Sequence, residues 1–523
     1  MGRKFPVVMS YPNKKEFMIE MSDIPLIKGA EHYWDRRAII VSDGLFTYRD
    51  LLAASCKVVS CLLDGARDLK EMRVAFLIPP GFQYVAVQWG IWRAGGIAVP
   101  LCVFHPQPEL EYVIEDSDAA IVVSHPDFEK MLRPIAEAKN RRFLLATDLL
   151  NAEPSPLPNV GMSRRAMILY TSGSTGKPKG VVTTHKNIEA QAMSLISAWE
   201  WTSEDYILNA LPLHHIHGIV NVLTCALRMG AACEILPKFD AGEVWARFMK
   251  GNLTLFMAVP TIYVKLIAFW EGASPKNQRT MSDACSKMRL MVSGSAALPI
   301  SVIEKWKTIS GHVLLERYGM TETGMILSNP LHGKRVPGYV GTPLPNMKVR
   351  LVDEKGKLVK PGIPGEIQVK GPAVFSEYWR KPEVTKDSFC EGWFCTGDVA
   401  VIENGNFRIL GRKSIDIIKT GGYKVSALEI EEVLRTHPDI KDCAVVGLED
   451  PEWGERVSAA LVLKDGSDLT LHSLRRWGKE RLAAYKVPTQ MCIFEDLPRN
   501  QMGKVTKPKI VQLFKAKKGI EGI

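Results

Sequence analysis

The run Tyr170-Thr-Ser-Gly-Ser-Thr-Gly-Lys-Pro-Lys-Gly180 packs three glycines, four Ser/Thr hydroxyls and two lysines between Thr171 and Gly180. Glycines allow tight turns that aim several backbone N–H groups at one anion. Hydroxyls add donors, and lysines add charge without a fixed geometry. Thr171, Ser172, Gly173, Ser174, Thr175, Gly176 and Lys177 are therefore candidate polyphosphate ligands. The spacing is not a Walker A: Gly173 stands too near Gly176-Lys177, and Pro178 replaces the Ser/Thr that would hold magnesium. A surface linker is the bland alternative, but linkers rarely carry lysines at turn positions between an apolar strand and a helix.

Three further constellations have chemical potential. In Arg317-Tyr-Gly-Met-Thr-Glu322, an aromatic can stack on adenine, Thr321 can reach a phosphate and Glu322 can hold magnesium. Local capping at a helix start would explain the same residues. In Trp393-Phe-Cys-Thr-Gly-Asp398, a carboxylate after a tight turn suits the two ribose hydroxyls, or forms an ordinary Asx turn. In Pro498-Arg-Asn-Gln-Met-Gly-Lys504, a lysine on a glycine-containing loop can reach a reacting phosphate, or simply be solvated.

These groups need elements to position them. Arg73-Val-Ala-Phe-Leu-Ile reads as a buried strand, ended by Pro79-Pro-Gly81 and followed by a helix to Ala94. Ile97-Ala-Val and Ala120-Ile-Val-Val continue the alternation of strands and helices, which implies α/β layers with mainly parallel sheets. Around 334–371 the pattern changes. Lys348-Val-Arg-Leu-Val and Glu366-Ile-Gln-Val-Lys alternate as half-buried strands do, so a smaller β-rich subdomain is expected. From about Gly411 a new unit begins, with strands at Ala444-Val-Val-Gly and Val457-Ser-Ala-Ala-Leu-Val-Leu and helices over 471–484 and 507–518. The expected division is an N-terminal extension 1–26, a large domain 27–411 and a small domain 412–523.

At 523 residues the chain is too long for one compact core. With 46% hydrophobic and 24% charged residues it has the composition of a globular protein, and no apolar run is long enough to span a bilayer. Ten scattered cysteines with no C-x-x-C argue against a zinc site or a disulfide framework. A net charge of +10 suggests anionic ligands; without a basic run interleaved with aromatics, nucleotides explain it better than nucleic acid. Gly2 alone matches a myristoylation signal, with Pro6 at the Ser/Thr position. The stretch to Lys15 is basic and free of acids, as mitochondrial presequences are, but poor in arginine and serine and interrupted by prolines.

In this order, the four constellations resemble the adenylate-forming superfamily of acyl-CoA synthetases, luciferases and peptide-synthetase adenylation domains. The match runs from about Ile27 to Phe514. The resemblance implies a large N-terminal domain of α/β subdomains plus a β-barrel, and a small mobile C-terminal α+β domain. It implies attack of a carboxylate on the α-phosphate of Mg-ATP, then transfer of the acyl group from the adenylate to CoA. Carried over residue by residue, Gly294, Ser295 and Ala296 would line the adenine and acyl site. Tyr318 would pack on adenine, Asp398 would hold the ribose with Arg412 nearby, and Glu322 would bind Mg2+. His215, in Pro212-Leu-His-His-Ile-His-Gly218, matches the active-site aromatic. Lys504 would bridge carboxylate and α-phosphate. Rotation about 412–414 would then bring Gly421, Gly422, Tyr423 and Lys424 to the CoA side.

Arg317 points to the acid. It precedes Tyr318, so it should lie at the acyl end, where a buried unpaired charge costs about 3–5 kcal/mol. A short dicarboxylate would pair with it bidentately, unless Glu316 already does. The stretches Val259-Pro-Thr-Ile-Tyr, Arg289–Pro299, Leu314–Glu322, Ile415–Glu429 and Pro498–Lys504 closely resemble malonyl-CoA synthetases, above all those of animal mitochondria. Some of these carry arginine where this chain has Lys265, so Lys265 is a candidate second cation. Malonate is the expected acid, with methylmalonate secondary. A medium-chain or aromatic acyl-CoA ligase and a non-catalytic nucleotide-binding scaffold are the rivals; intact Lys504, Glu322 and Asp398 disfavour the scaffold. The resemblance implies a mitochondrial location, the cytoplasm being the alternative.

Overall fold

The structure is a computed structural model, and it describes residues 23–171, 177–500 and 503–518. The described residues form two compact units: one drawn from within 1–192, 201–238 and 375–380, the other from within 193–200, 239–374 and 381–523.

In the first unit, buried aliphatic runs assemble a seven-stranded sheet. Its order is Glu377–Tyr378, Lys179–Thr184, Arg165–Thr171, Ile97–Pro100, Arg73–Leu77, Ile121–Ser124 and Arg142–Leu145. The last five strands are parallel, as the alternating pattern predicts. Val99, Val122, Ile168 and Val182 pack beneath the helices Gln107–Asp116 and Glu129–Ala138, with Leu110, Ile114, Leu132 and Ile135 in the same cluster. A second group of strands in this unit runs Tyr206–Asn209, Ala232–Ile235, Arg37–Val41 and Gly44–Thr47. Helix Phe82–Arg93 follows the Pro-Pro-Gly stop as expected.

The described residues of the second unit contribute strands to three sheets. Parallel strands Leu255–Ala258, Leu290–Ser293 and Leu315–Met320 continue into antiparallel Gly324–Ser328 and Thr342–Pro343. The β-rich region is a five-stranded antiparallel sheet of Lys348–Val352, Gly365–Lys370, Trp393–Glu403, Phe389–Cys390 and Asn406–Arg412. The C-terminal part folds on Tyr423–Ser426, Ile417–Thr420, Gly454–Leu463, Ile440–Asp450 and Gln490–Ile493. Alternation in the long pair Ile440–Asp450 and Gly454–Leu463 gives it two apolar faces. One packs on Ile430 and Leu474, the other on Ile510 and Phe514. The expected α/β class with a C-terminal α+β part is what forms. The helix expected over 471–484 ends earlier, at Lys479. Gly478, a weak helix former, lies 3.4 Å (at its would-be Cβ) from Val487, so the chain turns back to bury Val487.

Candidate active site

The Gly-rich loop joins two antiparallel strands, with Thr171 opposite Lys179 and Tyr170 opposite Gly180. This corrects the expected strand–loop–helix setting: the helix begins only at His185, after the return strand. Any anion at this loop is therefore held without a helix N-terminus immediately behind it, unlike a Walker A. Ser172, Gly173, Ser174, Thr175 and Gly176 lie outside the described residues. The flanks are braced. Tyr112 donates to Pro178 O at 2.8 Å, and Tyr170 donates to Asp116 at 2.7 Å. Lys177 Nζ stands 5.4 Å from the centre of the Tyr112 ring. Gly180 is required by packing, since a Cβ there would stand 2.7 Å from Ile168 Cγ2.

His215 lies just before a π-helical segment, His217–Thr224, a geometry frequent at functional sites. Its ring centre is 4.0 Å from that of His214. Burial first, then the nearby His105, pushes His215 down to about 4. It is neutral at physiological pH.

The second unit gathers the remaining groups. Strand Leu290–Ser293 ends at Gly294-Ser295, where Ser295 takes a left-handed φ of 70°. Arg317, on strand Leu315–Met320, is only 3% exposed. Its Nη2 donates to Ser295 Oγ at 3.2 Å, while Nε and Nη1 are buried and find no hydrogen-bond partner among the described residues. Glu316 does not neutralise it: that carboxylate accepts the Gly338 N–H at 2.9 Å. Burial alone pushes the guanidinium down to about 9, still cationic at neutral pH.

Arg317-Tyr318 leads into a β-hairpin rather than a helix start, with Thr321 and Glu322 in its turn. The Tyr318 hydroxyl donates to Asp398 Oδ2 at 2.5 Å, and Arg412 Nε donates to Asp398 Oδ1 at 2.9 Å. Asp398 does not follow a turn. It sits inside strand Trp393–Glu403, where Glu366 pairs with Val399 but Gln368 with Cys395. The extra residues form a bulge around Gly397, whose φ is 73°, and the bulge re-aims the carboxylate. Glu322 is buried, and its charge acts on Arg412.

Arg412 leads into a closed loop. Asp416 Oδ2 accepts the Arg412 N–H at 2.9 Å, and Asp416 N–H returns to Arg412 O at 2.7 Å. Asp416 Oδ1 also meets buried Lys507 at 2.6 Å. Asp416 was readable as a neighbour of Arg412 by spacing; its pairing with Lys507 left no local signal. Lys504 is exposed, its N–H held by Asn500 Oδ1 at 3.0 Å. Gly503, just before it, lies against helix Pro260–Glu271, for a Cβ there would stand 2.9 Å from Thr261 Oγ1. On the other hairpin, Lys424 pairs with Glu354 at 2.6 Å. Tyr423 stacks on Tyr485 with ring centres 4.2 Å apart, and exposed Trp453 lies against Gly421. Sequence reading missed Tyr485 and Trp453, because nothing local links them to Gly421–Lys424. Lys265 is exposed on its helix, 5.8 Å from the Phe239 ring centre. Ala296 is exposed beside Ser295.

A buried cation, a carboxylate held by tyrosine and arginine, and a lysine-bearing loop are the groups an acid-activating nucleotide site requires. The AMP-binding enzyme family model matches residues 27–379, and its C-terminal domain model matches 429–504. The chain belongs to the AMP-binding enzyme family. This AMP-binding enzyme is 45% identical over 529 residues to the mitochondrial malonate–CoA ligase ACSF3 of Homo sapiens, covering 94% of this chain and 92% of that protein. It is 39% identical over 529 residues to the malonate–CoA ligase of Arabidopsis thaliana, covering 92% and 86%. Among solved structures it superposes on ATP-bound MatB from Rhodopseudomonas palustris with a TM-score of 0.88 at 34% identity, covering 95% and 99%.

Proposed function

We propose that this enzyme joins malonate to CoA: malonate, ATP and CoA give malonyl-CoA, AMP and diphosphate through a malonyl-adenylate. The observation that carries the choice of acid is Arg317, buried and charged, with two nitrogens unpartnered among the described residues. A fatty or aromatic acid would leave that charge uncompensated, whereas malonate's second carboxylate would receive it. The identities to malonate–CoA ligases support the same reading. Methylmalonate, one methyl larger, is a weaker substrate.

The site residues take these roles. Thr171 to Lys177 hold the β- and γ-phosphates; Tyr318 and Gly294 to Ala296 border adenine and acyl group; Asp398, oriented by Tyr318 and Arg412, accepts the ribose hydroxyls. Thr321 donates to phosphate. Glu322 would hold Mg2+, which supplies charge neutralisation on the phosphates; a single carboxylate fits an ion that keeps phosphate and water ligands. His215 takes the family's aromatic position and, being neutral, transfers no proton at neutral pH. Lys504 stabilises the charge that develops as the acyl–phosphate bond forms. The large domain ends at 411, and the small domain turns about 412–414. That motion exchanges Lys504 for the surface of Gly421, Gly422, Tyr423 and Lys424, where Tyr485 and Trp453 offer faces for the adenine of CoA. Lys265 acts only as a peripheral cation.

The test is AMP release with Mg-ATP, CoA and malonate, methylmalonate, acetate, octanoate or benzoate. Malonate should exceed acetate in kcat/KM by about 100-fold or more. Equal use of the two acids overturns the proposal. The mitochondrion is the proposed location: residues 1–26 fused to a reporter should direct it there, and retention in the cytosol overturns that part.

A further inference from the structure

Beside Asp398, the same antiparallel sheet carries two thiols that the ligation chemistry does not use. Of the ten cysteines, Cys390 alone is exposed. It ends strand Phe389–Cys390, facing Trp393 across a two-residue loop. Both loop residues are left-handed, Glu391 at φ 50° and Gly392 at φ 77°, as a tight hairpin requires. Register pairs Phe389 with Phe394 and Cys390 with Trp393, and the Cys395 N–H bonds to Ser388 O at 2.9 Å. Cys390 and Cys395 are therefore diagonal neighbours on one face. The Cys395 thiol lies against the Cys390 backbone N–H and also receives Gln368 Nε2 at 3.3 Å.

We propose that Cys390 and Cys395 form a reversible disulfide that loosens the Asp398 site. Exposed Cys390 attacks a low-molecular-weight disulfide such as oxidised glutathione, releasing one thiol and forming a mixed disulfide. Cys395, whose thiol burial pushes up, gives up its proton as its sulfur attacks the Cys390 sulfur, and the departing thiolate takes a proton. The second thiol leaves, so two protein thiols are oxidised and one external disulfide is reduced. Diagonal strand positions are about 7–8 Å apart, beyond the usual disulfide span, so the backbone must shift to close the bond. A bond closed in that way is readily reduced, as a regulatory disulfide must be.

The shift falls on the strand that carries the bulge. Cys395 loses its thiol contact with Gln368. The next residue, Thr396, donates to Ile367 O at 2.8 Å and accepts the Asp398 N–H at 3.1 Å. Displacing Cys395 therefore reaches Asp398 through Thr396. This consequence rests on the assignment of Asp398 to the nucleotide ribose, whereas formation of the bond does not.

The experiment treats the full-length reduced enzyme, first shown to release AMP with malonate, with oxidised glutathione. Trypsin should yield a peptide spanning 387–408 that holds both cysteines and is lighter by two hydrogens without added reductant. AMP affinity should fall about tenfold, the size of one lost hydrogen bond to a charged group, and return on adding dithiothreitol. Cys390→Ser should keep its activity and affinity under the same oxidant. A peptide that stays at its reduced mass, or a Cys390→Ser enzyme inactivated like the wild type, overturns the proposal. A bond that forms without loss of AMP affinity overturns its coupling to Asp398. An inactive reduced enzyme would instead count against the ligase assignment and leave the mass shift as an independent readout.

Discussion

The guanidinium of Arg317 lies so close over Gly294 that a Cβ on that glycine would stand 2.7 Å from its Nε, Cζ and Nη1. The end of strand Leu290–Ser293 thus has no side chain because the neighbouring strand places a cation there. Gly294→Ala should push the guanidinium off its position. The KM for malonate is expected to rise about tenfold, equivalent to ~1.4 kcal/mol, with the KM for ATP less affected. Steady-state kinetics check this; an unchanged malonate KM removes the inferred link.

Arg317→Met replaces a buried charge by an apolar side chain of similar length. Malonate kcat/KM should drop by about 100–1000-fold and the preference over acetate should vanish. The apo-enzyme should melt at the same or a higher temperature, because an unpaired buried charge opposes folding. Calorimetry beside the acid panel separates the two effects. A variant that is both unstable and still selective for malonate contradicts the assignment.

Tyr318→Phe deletes one of the two groups that hold Asp398. A lost hydrogen bond to a carboxylate is worth about 1.5–3 kcal/mol, so the KM for ATP should rise roughly tenfold or more. Asp398→Asn should cost more, because it also removes the carboxylate that pairs directly with Arg412. If both variants bind AMP like the wild type, the ribose assignment is wrong.

Lys504→Ala should slow adenylate formation about 100-fold or more, while transfer from supplied malonyl-adenylate to CoA stays near normal. Trp453→Ala should do the opposite, raising the KM for CoA with adenylation intact. Single-turnover assays of each half-reaction distinguish them. Equal damage to both halves in either variant argues against two separate surfaces.

Glu316 is pushed up to about 8, chiefly by burial, with a smaller contribution from Glu432, while the Gly338 N–H opposes the shift. Its usual value is near 4.5. Between these values the folded protein holds a proton that the unfolded chain has lost, so stability falls as pH rises through this window. Glu316→Gln keeps an acceptor for Gly338 without the titration. Its melting temperature should gain on the wild type from about pH 5 to pH 8 and then level off. A constant difference across that range would refute the raised carboxyl.

The Gly-rich loop was legible because its chemistry is local. Glycines, hydroxyls and lysines crowded into one run already exclude a Walker A. Its setting was not legible: Lys179–Thr184 is short and apolar enough to read as the lead-in to a helix, and only pairing with Arg165–Thr171 makes it a return strand. Asp398 was readable as a chemical group but not as a bulge residue, since a bulge exists only relative to the partner strand Gly365–Lys370.

The sequence by itself determined the α/β class, the family and the identity of the groups, because periodicity and clustered motifs are short-range properties. It left open whether Arg317 was already neutralised by its neighbour Glu316. Tertiary structure decided that by turning Glu316 toward Gly338 and Arg317 toward Gly294 and Ser295. Successive residues of a strand point to opposite faces, so Glu316 and Arg317, adjacent in sequence, are kept from meeting.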